Sequence, residues 1–121
     1  MNESESDQEA RVQRLVMLMY RHGMSPKAVS LRVFGWRLAA ERRRLQAMTP
    51  SDTYTVARLA RSFGMSDANW QAYEEGLIEP HLGFLEGLSV TLFDMHWLLK
   101  DLFFSPPQNV ARDLFFVEPK A

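Results

Sequence analysis

The sequence contains no cysteine. It therefore has no disulfide framework and no thiolate for nucleophilic or metal chemistry, which fits a cytoplasmic location. No apolar run approaches the ~20 residues that cross a bilayer. The opening MNESESDQE is acidic and polar, unlike a secretory signal, so no membrane association is expected. Histidine is scarce: His22, His81 and His96 lie far apart, with no HxxxH or HExxH spacing, and no metal site is expected. A Gly-rich phosphate loop, a nucleophile elbow and a paired-carboxylate motif are all missing. The chain is accordingly not expected to be an enzyme, and no catalytic residue or cofactor is assigned.

Charge of one sign is also scarce, region by region. Residues 1–10 carry four acids and no base. Residues 11–61 carry eleven Lys and Arg against only Glu41 and Asp52, a balance of +9. Residues 62–121 carry three Lys and Arg against nine acids, a balance of −6. The net charge of −1 hides this division. A basic half beside an acidic half suggests a polyanion-facing side or complementary self-association. Ordinary solvated helix faces are the alternative.

With 121 residues the chain is long enough for one domain with a modest core. Residues 1–8 read as a disordered acidic tail. A helical arm spans 9–32: one helix from about Glu9 to His22 with Val12, Leu15, Val16 and Met19 as its stripe, ended by Gly23, and the start of a second. Met17, Leu18 and Tyr20 add apolar surface beyond one packing face. Ser25-Pro26 opens the second helix as N-cap and first helical residue, and it runs to about Met48. Leu31, Phe34, Leu38, Leu45 and Met48 form its stripe, which Glu41 interrupts, and Gly35 is a place where it could bend. Thr49-Pro50 repeats the start signal.

The stretch TVARLARSFGMSDANWQAYEEGLIEP, 55–80, reads as helix, tight turn, helix, loop. Val56, Leu59, Ala60 and Phe63 have helical spacing. Gly64 stops the first helix, Ser66 caps the second, Trp70 and Tyr73 give it an apolar side, and Gly76 ends it. After Pro80, Leu82, Leu85, Leu88 and Leu92 mark a further helix, and Asp94 caps a short one carrying Trp97, Leu98 and Leu99. Residues 102–121 form an apolar extension in which Asp-Leu-Phe-Phe, first seen at 101–104, recurs at 113–116. Ser105-Pro-Pro-Gln108 there resembles a capping box and predicts a last helix over about 106–116.

Leu59-Ala60, Gly64-Met65-Ser66, Tyr73-Glu74-x-Gly76, Glu79-Pro80 and Trp97-Leu98-Leu99 carry a resemblance to the lambda-repressor-like (Cro-type, XRE) helix-turn-helix family, over about residues 33–101. The resemblance implies an all-α, five-helix repressor-like domain, here with an N-terminal helical arm and a Phe-rich C-terminal tail. In that family the second helix of the unit enters the DNA major groove. Its base-facing positions would be Asp67, Ala68, Gln71 and Ala72, with Asn69 beside them. The resemblance also pairs Arg42 with Glu74 in a structural salt bridge. Relative to the family, the chain between Arg42 and Leu59 is longer by about seven residues, which either extend the next helix or form a loop.

The densest basic run is Arg42-Arg43-Arg44. Arg37, Arg43, Arg44, Arg58 and Arg61 are the candidate phosphate-facing residues, with a solvated face as the alternative. The segment 66–76 holds Asp67, Glu74 and Glu75 and no positive charge, which opposes phosphate attraction. Two functions follow. One is a DNA-binding transcriptional regulator, expected to be a homodimer on double-stranded DNA. The other is a protein-interaction module that keeps the fold without DNA binding and meets a regulator, a toxin or RNA polymerase. A phage-type or mobile-element control protein is a third reading.

Overall fold

The computed structural model describes residues 5–102; residues 1–4 and 103–121, with the expected helix over 106–116 and most of the apolar extension, lie outside them. The described chain is all-α, with six helices and no strand. None of these helices is long and apolar enough to cross a membrane.

Helix α1 spans Glu5–Arg21. It starts four residues before the expected Glu9, inside the stretch expected to be disordered. Glutamate is a good helix former, and negative charge suits a helix N-terminus, so the acidic sequence continues the helix. Val12 is fully buried and packs with Val29 and Val33, with Val16, Met19 and Trp36 around them. Leu15, Met17, Leu18 and Tyr20 remain exposed. Gly23, at φ 85, turns the chain.

Helix α2, Pro26–Ala47, is the spine. The Ser25 hydroxyl accepts from the Ala28 amide at 3.2 Å, and Pro26 needs no partner at the first position. The first half of α2 packs on α1 through Val29 and Val33. The second half supplies Phe34, Leu38 and Leu45 to the main core. The expected stripe is shorter at both ends, since Leu31 is half-buried and Met48 is exposed.

No helix starts at Thr49-Pro50. Residues 49–55 form a loop instead, because Thr49 serves the helix behind it: its hydroxyl donates to Leu45 O at 2.7 Å. Gln46 pins the loop twice, donating to Ser51 O at 2.6 Å and accepting from Tyr54 N at 2.9 Å. Tyr54 enters the core edge-on to Phe93, centroids 6.1 Å apart. Thr55 then caps α3, Val56–Ser62.

Gly64 (φ 69) makes the turn to α4, Asp67–Glu74, which Ser66 caps by accepting from Asn69 N at 3.1 Å. Trp70, wholly buried, is the centre of the core and meets Phe63 and Phe84 edge-on at 5.4 and 5.5 Å. Tyr73 stacks on Phe84 at 4.0 Å, and burial pushes its phenol pKa above the ordinary value.

Helix α5, Leu82–Ser89, begins on His81, whose Nδ1 accepts from Phe84 N at 3.2 Å. Its buried residues are Phe84 and Leu88, with Leu85 partly buried against the same core, so the expected stripe holds at Leu85 and Leu88 and fails at its two ends. Leu82 is exposed in its first turn, and Leu92 lies beyond the helix end, also exposed. The aromatic pocket of Tyr73, Trp70 and Phe63 selects Phe84, which sets the rotation of the helix. Helix α6, Met95–Leu99, is capped by Asp94 and buries Leu98.

A candidate nucleic-acid interface on α3 and α4

The site rests on how α4 is held. Arg42 on α2 forks onto Glu74 at the end of α4, with Nε to Oε2 at 2.6 Å and Nη2 to Oε1 at 3.2 Å. The Trp70 indole N–H, one helical turn earlier, donates to the same Oε2 at 2.7 Å. One carboxylate thus takes three donors in a largely buried setting, which is the condition under which an internal ion pair is satisfied. The pair links α2 to the last turn of α4 and orients the helix about its own axis.

A second restraint is a close approach of backbones. A Cβ on Gly35 would lie 2.5 Å from both Tyr73 O and Glu74 O. Glycine at this point is what lets α2 and α4 touch; the helix gains contact where the sequence suggested a bend.

With Trp70, Tyr73 and Glu74 turned inward, the other side of α4 faces outward. Asp67, Ala68, Asn69 and Gln71 are exposed and Ala72 is half-buried. These five base-facing candidates therefore lie on the outer part of one short helix. Asn69 and Gln71 are the two that carry both a donor and an acceptor able to read a base edge. Asp67 and Glu75 are exposed beside them.

The five candidate phosphate-facing arginines divide. Arg43 and Arg61 are exposed. Arg58 is exposed and forms a 3.3 Å ion pair with Asp52 in the 49–55 loop. Arg44 is half exposed and its Nε donates to Glu41 at 2.7 Å. Arg37, also expected to face phosphate, is buried instead. It is 3% exposed, and its Nη1 donates to Trp97 O at 3.0 Å and Lys100 O at 2.9 Å. Its guanidinium, 5.6 Å from the centre of the Trp97 ring, satisfies carbonyls that the C-terminus of α6 leaves open, so it cannot reach a phosphate.

Glu41, read as an interruption of an apolar stripe, is a structural anchor. It is 4% exposed, takes Arg44, and accepts from Asp94 N at 2.9 Å. Together Arg37 and Glu41 fasten both ends of α6 to α2. The signal was present in the sequence: two charges four apart on the side that carries Leu38 and Leu45 have to be paired once buried.

Among the described residues no group of three or more His, Cys, Asp or Glu converges on a metal-sized site. No protein-family model matches the chain, and neither the curated proteins nor the solved structures include a match to it.

Proposed function

We propose that the protein is a cytoplasmic, DNA-binding transcriptional regulator of the lambda-repressor-like helix-turn-helix type. The observation that carries this reading is the fixed presentation of α4. The Arg42–Glu74–Trp70 contacts lock one side of the helix inward and leave Asn69 and Gln71 on the other. The Gly64 turn sets α3 before it, with Arg58 and Arg61 exposed.

In this mechanism α4 enters the major groove while Arg43, Arg58 and Arg61 contact phosphates, assisted by the half-exposed Arg44. Arg58 exchanges Asp52 for a phosphate at little cost, since an exposed pair contributes at most about 1 kcal/mol. Asp67 and Glu75 weaken attraction to the backbone, so affinity comes from the arginines and preference from Asn69 and Gln71. Replacing Asn69 or Gln71 by alanine changes which duplex is preferred by about 1–3 kcal/mol, measured by anisotropy against single-base variants of a selected site.

The protein acts as a homodimer through the outer side of α1, where Met17, Leu18 and Tyr20 are exposed. Two-fold symmetry would set two α4 helices on half-sites one helical turn apart. Leu18→Glu gives a monomer by light scattering at micromolar concentration and weakens operator binding more than binding to random DNA. A monomeric parent protein contradicts the dimer.

The exposed acids of α4 favour a second reading, an interaction module whose partner presents a basic face to Asp67 and Glu75. It replaces the first if the protein fails to bind duplex DNA even at low salt.

A further inference from the structure

Between Glu41 and Asp67 the chain holds five arginines and a single acid, Asp52. That acid lies in the 49–55 loop and pairs with Arg58 of α3 at 3.3 Å. An exposed pair is ordinarily loose, because two mobile side chains have to be held in one geometry. Here the backbone beneath both partners is fixed. Gln46 holds the loop on both sides of Asp52, at Ser51 O (2.6 Å) and at Tyr54 N (2.9 Å). The hydroxyls of Ser51 and Thr53, which flank Asp52, share a hydrogen bond of 2.6 Å. Tyr54 anchors the loop in the core.

Thr55 completes the arrangement. Its amide and its hydroxyl both donate to Asp52 O, at 3.1 and 2.9 Å. The same hydroxyl accepts from Arg58 N at 3.3 Å, as one hydroxyl can while donating elsewhere. One side chain therefore ties the backbone of Asp52 to that of Arg58, and the ion pair joins their side chains. The guanidinium is still open to solutes, since the two side chains are 53% and 64% exposed at Arg58 and Asp52. A carboxylate and a phosphate offer it the same kind of anionic oxygen, so either one occupies the place of the other.

We propose that Asp52 is a built-in competitor for phosphate on Arg58, held there by the loop. A lone phosphate gains one contact and has to displace an anion tethered at high effective concentration. A polyanion that also reaches Arg43 and Arg61, both exposed, offsets the displacement with further contacts. The displaced carboxylate takes up a cation from solution, which cancels part of the counterion release that Arg58 would otherwise bring. The loop thereby lowers the affinity of this face for phosphate and flattens its salt dependence. The proposal rests on the DNA-binding reading for the identity of the polyanion, not for the competition itself.

The test is a double-mutant cycle of Asp52→Asn and Arg58→Ala in the full chain. Each variant is titrated with a random-sequence duplex and with inorganic polyphosphate, at low and at physiological salt. Unfolding midpoints check that the fold is kept. Asp52→Asn is expected to bind about threefold to fivefold more tightly at low salt, with a steeper salt slope, and to give no gain once Arg58 is alanine. An equal gain in the Arg58→Ala background would show that Asp52 acts only as a diffuse charge, and it overturns the proposal. So does the absence of a gain on both polyanions. An Arg58-dependent gain on polyphosphate, with no binding of duplex by parent or variant, upholds the competition and removes the DNA reading.

Discussion

Glu74→Ala is expected to lower the stability of the folded chain by about 3–5 kcal/mol. The substitution removes the acceptor of two Arg42 bonds and of the Trp70 indole together. Arg42 is left as a charge with little access to water, since its side chain is only 16% exposed. Trp70, wholly buried, keeps an N–H without an acceptor. The cost is dominated by these stranded donors rather than by the lost attraction. Glu74→Gln sits between: its amide oxygen still accepts from Trp70, but the positive charge is uncompensated. Glu75→Ala, one residue on and exposed, is the control and should stay within about 0.5 kcal/mol of the parent. Urea unfolding of the three variants separates them by midpoint. A Glu74→Ala midpoint that matches Glu75→Ala contradicts the role given to this carboxylate.

Gly35→Ala reverses the usual sign of a helix substitution. Alanine inside a helix is ordinarily about 1 kcal/mol better than glycine. Here the new methyl group would fall 2.5 Å from two backbone oxygens of α4 and 2.8 Å from the Glu74 carbonyl carbon. Backbone cannot rotate away as a side-chain tip can, so the two helices must separate. That movement opens the Arg42–Glu74 fork and loosens the Tyr73–Phe84 stack. A net loss of about 2–3 kcal/mol follows, in the range of overpacked cores. Calorimetry should show a lower melting temperature than the parent; a rise would mean that α2 and α4 are not in backbone contact.

These two positions show how unevenly the structure was legible in the sequence. The stops and caps were readable because each is a local event: Gly23, Gly64 and Gly76 all take positive φ, and Ser25, Ser66 and Asp94 all cap. The pair of helices α3 and α4 and the Gly64 turn between them were readable for the same reason. The Arg42–Glu74 contact came from family resemblance, since no local rule joins residues 32 positions apart. What could not be read was long-range. Gly35 looked like a weak point because its neighbour across the gap belongs to α4. Arg37 looked like a surface cation because the carbonyls it satisfies belong to α6. The leucine pattern after Pro80 found Leu85 and Leu88 but missed Phe84, since the rings of Tyr73 and Trp70 that hold Phe84 belong to another helix. The candidate interface divided along the same line: exposure of Asn69, Gln71, Arg43 and Arg61 follows from helix phase, whereas the burial of Arg37 depends on a distant element.

The salt dependence of duplex binding, compared between the parent protein and Arg43→Ala/Arg61→Ala, tests the central claim most directly. Both arginines are exposed, so the fold should be unaffected, and unfolding midpoints check that it is. Each phosphate contact contributes about −0.9 to the slope of log affinity against log salt concentration. If both side chains touch phosphate, the double variant binds every duplex more weakly and its slope is flatter by about 1.8. A parent protein that fails to bind duplex DNA at low salt, or a double variant with the parent's affinity and slope, contradicts a DNA-binding role for this face.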